Sequence, residues 1–241
     1  MDGQPVQASG VAIVLDSNVQ PSDAPPGSLA EGAYRALEEM IVTRQLRPGS
    51  MLSENQLSEQ LGCGRTPIRE ALQRLKFEGY VEIHPRRGVL VAPIDVLKQL
   101  ELLEVRRPLE HLVVRLAAMR ASDHQRLEMR DLAKEIRTAA AASDAVRYLR
   151  ATRTIHEIEA GAAHNSALAA TIGIIHGQSR RFWYAQIEAS GSFPEGSEIH
   201  AATLTAIVDG GGIGVAASAD RLLDHLERLT RGALDRLTAR N

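Results

Sequence analysis

Arg65 and Arg69 stand four residues apart in Gly64-Arg65-Thr66-Pro67-Ile68-Arg69-Glu70-Ala71-Leu72, so on a helix both project from one face. Arginine is the side chain that reads guanine with paired hydrogen bonds, through O6 and N7. Thr66 and the backbone amides at a helix start can hold a phosphate. Farther on, Arg86-Arg87-Gly88 sets two more cations at the tip of a turn. Between Arg65 and Arg87 six basic residues (Arg65, Arg69, Arg74, Lys76, Arg86, Arg87) face three acids (Glu70, Glu78, Glu82), a local excess of +3 in a chain of formal net charge −2. The whole-chain sum hides a basic patch of the kind that meets nucleic acid.

The surrounding elements must hold those arginines in place. A helical stripe starts at Leu29 and continues through Ala33, Ala36, Leu37, Met40 and Ile41, ending near Gln45 before the turn Arg47-Pro48-Gly49. The next helix is expected from Ser53, with Ser53 as N-cap and Gln56 completing a capping box, and it stops at Gly62. In the third, Thr66 can cap, Pro67 sits at the first helical position, and Ile68, Leu72 and Leu75 face inward. Two short helices across a tight glycine turn form a helix-turn-helix pattern. Tyr80–His84 alternates like a strand, and Val89–Val91 returns as a second, making a β-hairpin wing tipped by Arg86 and Arg87.

From Ile94 onward the sequence reads helical, with helices expected over 95–120, 123–142, 144–163, 165–190, 196–209 and 215–238. The fold expected is mainly α, a winged helix-turn-helix over 28–93 followed by an all-α antiparallel bundle over 94–241. Residues 1–27, with Pro5, Pro21, Pro25 and Pro26, read as a flexible arm, in which Val11–Leu15 could add a short strand. The 241 residues are 44% hydrophobic but only 3% aromatic, so the cores must be aliphatic. One cysteine, Cys63, excludes an internal disulfide or a cysteine-rich zinc module. With no signal peptide and no apolar run of the ~20 residues that span a bilayer, the expected location is the cytoplasm, on the nucleoid, with no membrane partner.

Residues 29–93 resemble the winged helix-turn-helix of the GntR family of bacterial regulators. The resemblance is carried by Leu46-Arg47-Pro48-Gly49, Leu52-Ser53-Glu54, Leu57, Arg65 through Leu72, Arg74-Leu75, Glu78-Gly79 and Arg86-Arg87-Gly88. It implies base and phosphate contacts by Arg65 and Arg69 and a wing at Arg87-Gly88 in the minor groove. Arg35, Thr66 and Arg74 are implied backbone contacts. Asn55 stands where several relatives carry a DNA-contacting arginine, and Cys63-Gly64 replaces the usual Val-Ser pair, so that Gly64 removes a hydroxyl.

Leu103-Glu104-Val105-Arg106-Arg107-Pro108-Leu109-Glu110, followed by Leu116-Ala117-Ala118, resembles the opening of the FCD domain, the helical effector-binding half of the FadR subfamily. Many such domains hold a divalent metal with one Asp and three His. Here His156, His200 and His225 fall at the histidine positions, and Thr152 at the aspartate position. The resemblance implies one divalent metal per chain, zinc, nickel or similar, its fourth place filled by water or an effector carboxylate. Without metal, the same histidines would bind an acidic ligand directly, with Arg106 as partner of the anion, or Arg106 would make an internal ion pair. Asn165, Arg180, Arg181, Trp183 and Tyr184 are further pocket candidates. The apolar series Leu102, Val105, Leu109, Leu112, Leu116 and Met119 is expected mostly in the core, with dimer contacts among the same helices.

These features point to a homodimeric regulator on a palindromic operator, a metabolite-released repressor with an acidic effector, and not to an enzyme. No HExxH, GxSxG, P-loop or dinucleotide fingerprint occurs. The alternatives are a metal-dependent enzyme built on the three histidines, and an interaction module whose DNA-reading face is vestigial.

Overall fold

The computed structural model describes residues 29–190, 193–210 and 212–239. The expected arm over 1–27, its Val11–Leu15 strand and the Gly191-Ser192 break lie outside the described residues.

Helix α1 (Leu29–Val42) buries Ala33, Tyr34, Leu37, Met40 and Ile41, the stripe its 3.6-residue period dictates. Arg44 at φ 59° and Gly49 at φ 80° then turn the chain. Strand β1 (Met51–Leu52) is not foreshadowed in the sequence, because two residues are too few to show alternation. Its pairing with the far strand of the wing creates it, in a three-stranded antiparallel sheet of order β1-β3-β2. Strands β2 (Val81–His84) and β3 (Gly88–Val91) pair as the hairpin, with Ile83 opposite Val89. Gly88 has φ 108°, and a Cβ there would lie 2.9 Å from the Leu52 carbonyl oxygen, so only glycine lets β1 close against the wing.

Helix α2 (Glu54–Gln60) starts after Ser53 as expected, but the Ser53 side chain makes no capping bond, so the capping box does not form there. Helix α3 (Arg65–Phe77) begins earlier than capping by Thr66 requires: Gly64 is the N-cap, and Pro67 is third in the helix. That position is still among the amides without an intrahelical partner, so the missing N–H of Pro67 costs nothing. Ile68, Leu72 and Leu75 are buried against α1.

All six expected C-terminal helices are present: α4 (Val96–Arg120), α5 (Asp123–Ala141), α6 (Ala145–Ala162), α7 (Ser166–Ser190), α8 (Pro194–Asp209) and α9 (Gly212–Thr238). Helix α5 has the capping box that α2 lacks, Ser122 and Gln125 bonding reciprocally. Helix α8 starts at Pro194, with proline at its first position, and α9 at Gly212, both earlier than periodicity suggests. The core of α5, α6 and α8 is aliphatic, with Met129, Ile136, Ile155, Leu204 and Ile207 buried. The expected core series on α4 divides: Leu116 is buried, but Val105 and Met119 are 54% and 71% exposed, which corrects the core assignment for those two. No helix among the described residues is long and apolar enough to cross a membrane.

Candidate functional site

Two places collect the chemically capable side chains. The first is the exposed start of α3 with the wing. Arg65, Thr66 and Arg69 are exposed, as are Arg86 and Arg87 at the hairpin tip. Arg69 Nε donates to Glu54 Oε2 at 2.7 Å, a pair whose arginine side chain remains 62% exposed. Such a surface pair is worth little and can be exchanged for a phosphate or base.

Arg35 and Arg74 are placed differently. Glu31 accepts from Arg35 Nε at 3.0 Å and from Arg74 Nη1 at 2.7 Å. Arg74 Nε also donates to Glu78, and its guanidinium lies 3.6 Å from the centre of the Tyr34 ring. Arg74 therefore ties α3 to α1. Gly64 has ordinary φ, and a Cβ there would meet nothing nearer than 3.8 Å, so sterics do not demand glycine at that position.

The second place is a cavity of about 290 Å3 enclosed by α4, α6, α7, α8 and α9. It brings together Arg106 from α4, Thr152 and His156 from α6, Arg180 and Trp183 from α7, His200 from α8 and His225 from α9. Its other walls include Leu149, Phe193, Leu222, Leu226 and Leu229. Gly196 lets α8 approach α6, since a Cβ there would meet the Tyr148 hydroxyl at 2.7 Å. Asn165 is not among the lining residues; its Oδ1 accepts from Leu168 N and caps α7. Arg181 lines a different cavity at the junction with the wing and donates to the Ala92 carbonyl, and Tyr184 packs beside the N-terminal core.

Several members of this site leave little trace in the sequence. Arg106 is 1% exposed, and its Nε donates to Glu110 Oε2 at 2.7 Å. The spacing of four residues makes that pair readable. His176 is not readable: its ring stacks on His156 at 3.8 Å and its Nε2 lies 3.0 Å from Glu110. Glu38 is equally hidden. Only 2% exposed, it lies on α1, yet Arg180 of α7 and Arg153 of α6 both pair with it, and Tyr80 donates to it. Pairings between residues so far apart in the chain have no signature in local spacing.

The cavity residues do not fit a divalent metal. Arg106 Nη2 lies 3.3 Å from His156 Nε2. A guanidinium only donates, so it takes the lone pair a metal would need. Thr152, at the aspartate position, donates its hydroxyl to the Tyr148 carbonyl at 2.9 Å. Among the described residues no three His, Cys, Asp or Glu side chains converge so as to hold a metal ion.

Burial sets the ionisation of the site. It drives His156 well below the ordinary histidine value and His200 down to about 3, with Arg106 adding to both. His176 and His225 are lowered as well, again chiefly by burial. Burial would raise the Glu110 carboxyl, but Arg106 and His176 overcome it and hold it low. Glu159, 1% exposed, is pushed well up by burial and by the Glu110 charge.

These shifts have opposite signs in stability. The buried rings take up protons less readily than the unfolded chain, so their contribution is complete above the ordinary value of 6.5 and is lost on acidification. Each fully buried ring should remove roughly 1.4 kcal/mol per pH unit below that point. Glu159 does the reverse, because a carboxyl kept protonated in the fold costs stability as pH rises. Glu159→Gln should therefore raise the urea midpoint at about pH 7.5 and raise it less at about pH 5. Equal gains at both would mean that Glu159 is ionised in the fold.

Residues 29–91 match the family described as bacterial regulatory proteins, gntR family, and residues 101–227 match the FCD domain. The Nta operon transcriptional regulator of Aminobacter aminovorans is 38% identical over 96 residues, 40% of this chain and 46% of that protein. The HTH-type transcriptional repressor RspR of Escherichia coli is 34% identical over 92 residues, 38% of this chain and 40% of that one. The matched region thus spans about half or less of the length of these relatives. The E. coli McbR/YncC structure superposes with a TM-score of 0.77 at 20% identity, covering 86% of this chain and 99% of that one. A regulator structure from Rhodococcus sp. RHA1 gives 0.67 at 22% identity, covering 87% and 99%. These likenesses establish the shared fold. With a gntR-type winged helix-turn-helix leading into an FCD domain that fills more than half its length, the chain belongs to the FCD-containing GntR family of DNA-binding transcriptional regulators.

Proposed function

We propose that this protein is a homodimeric repressor that releases its operator when a small acidic metabolite occupies the cavity of the FCD domain. The observation that carries the reading is Arg180. It lines the cavity and also pairs with Glu38 on α1 of the DNA-binding module. One side chain is thereby common to the effector site and to the hold on the reading head. An anion in the cavity competes with Glu38 for Arg180, and DNA affinity changes by the effector's differential affinity for the two arrangements.

Dimerisation is supported by α4. Leu102, Val105, Leu109, Leu112, Leu116 and Met119 recur at alternating spacings of three and four, the seam of paired helices. Val105 and Met119 on that seam are exposed. Two reading heads on a two-fold axis suit a palindrome. Repression follows the naming of RspR as a transcriptional repressor. The enzyme alternative needs a metal on the three histidines, and the contact of Arg106 with His156 Nε2 weighs against one.

Selection of random duplexes by the purified full-length chain tests the reading. The expected product is an inverted repeat with half-site centres about one helical turn apart, bound by a dimer in light scattering. Enrichment of no motif, or of a single half-site bound by a monomer, would refute it.

A further inference from the structure

We propose that the FCD cavity of this protein takes a small organic monocarboxylate directly on Arg106, flanked by Arg180 and the buried histidines, with no metal between ligand and protein. The proposal rests on the effector reading above and names the chemistry of that effector.

Charge leads to it first. Arg106, 1% exposed, and Arg180 both line the cavity, each with a carboxylate partner on its far side, Glu110 and Glu38. Two guanidiniums facing one space attract a carboxylate and repel a divalent cation.

Donor geometry leads the same way. Arg106 uses Nε on Glu110 and Nη2 on His156, while Nη1 has no hydrogen-bond partner among the described residues. Among the described residues, His156 and His200 each have a buried Nδ1 without a hydrogen-bond partner. Because Arg106 Nη2 can only donate, His156 Nε2 accepts and Nδ1 carries the ring proton. Unmatched buried donors of this kind are what a carboxylate satisfies. Thr152 completes the case. An aspartate there would put a competing carboxylate inside the cavity, whereas the threonine hydroxyl turns to its own helix backbone.

The walls define the rest of the ligand. Leu149, Phe193, Leu222 and Leu226 offer apolar surface, and a volume of about 290 Å3 lies at the low end for ligand pockets. The fitting molecule is a small acid with an apolar body, not a polyhydroxylated or phosphorylated one.

The experiment uses the full-length protein. Incubated with zinc or nickel, desalted and analysed for metal, it should retain neither stoichiometrically. In EDTA, hexanoate, benzoate and phenylacetate are then compared with their primary amides and with inorganic phosphate by thermal shift and titration calorimetry. At least one acid should raise Tm while its amide and phosphate do not. Thr152→Asp should weaken that acid about tenfold or more through like-charge repulsion. Arg106→Met should abolish the response, and Arg106→Lys, which keeps a charge opposite Glu110, should retain part of it if the methionine variant misfolds. Retention of one metal per chain would overturn the proposal. So would stabilisation by phosphate or by the amides alone, no response to any acid, or an acid affinity unchanged in Thr152→Asp. DNA selection reads out separately: a chain that enriches an inverted repeat yet keeps zinc sinks this inference alone, and one that binds the acid but enriches no DNA sinks the regulator reading alone.

Discussion

Arg69→Ala is expected to cost roughly 1–3 kcal/mol of DNA affinity per reading head, about five- to 150-fold at each half-site. Arg69 stands on the outer face of α3, one turn beyond Arg65, and its sole described pairing is the exposed one with Glu54. That bond can be given up for a base edge at little cost, so the loss on truncation should appear in DNA binding and leave the thermal midpoint nearly unchanged. Arg74→Ala should behave in the opposite way. Removing its contacts with Glu31, Glu78 and the Tyr34 ring should lower stability, because they join α1 to α3. Arg87→Ala, at the wing tip, should weaken binding evenly across sequences and reduce the salt slope by about 1. Titrations of the three variants against the selected duplex and a scrambled one distinguish these cases. Undiminished affinity in Arg69→Ala would show that α3 is not the reading helix.

The largest expected loss of stability belongs to Glu38→Ala. Glu38 is 2% exposed and its carboxylate faces Arg180, Arg153 and the Tyr80 hydroxyl, so truncation strands Arg180 and the hydroxyl near the junction of the domains, while Arg153 keeps Glu157. Breaking a buried pair from one side typically costs about 3–5 kcal/mol. Glu38→Gln keeps the size and an acceptor and should cost less. Because Glu38 lies on α1 and Arg180 on α7, both variants should also loosen the winged helix-turn-helix from the FCD domain. Hydrogen exchange should accelerate in α1 before it does in α5. If Glu38→Ala unfolds at the wild-type urea concentration with unchanged exchange in α1, Arg180 does not hold the reading head, and the coupling proposed through it fails.

Local pattern is enough for much of this molecule. The α1 stripe, the inward triplet Ile68, Leu72 and Leu75, the hairpin on either side of Arg86-Arg87 and all six C-terminal helices follow from apolar periodicity and breakers, which act over a few residues. Termini are less legible. Ser53-x-x-Gln56 and Ser122-x-x-Gln125 have the same capping pattern, yet only the second closes. In the first, Ser53 follows directly on β1, whose pairing with β3 fixes the incoming chain. The start of α3 departs from its local pattern for a similar reason: the turn after Gly62, at φ 61°, lets Gly64 serve as N-cap before Thr66 is reached.

The FCD cavity shows the division most clearly. By itself the sequence determined the two-domain plan, the basic reading face and the presence of Arg106, His156, His200 and His225 on separate helices, because residue type and helical period are local properties. Tertiary structure alone decided that Arg106 spends a donor on His156, that His176 stacks on the same ring, that Asn165 caps a helix away from the cavity, and that Glu38 reaches Arg180. Whether a histidine is a metal ligand or a neutral neighbour of a guanidinium depends on which lone pair is free. That is settled by side chains brought together from distant positions in the chain, through the packing of whole helices on an aliphatic core.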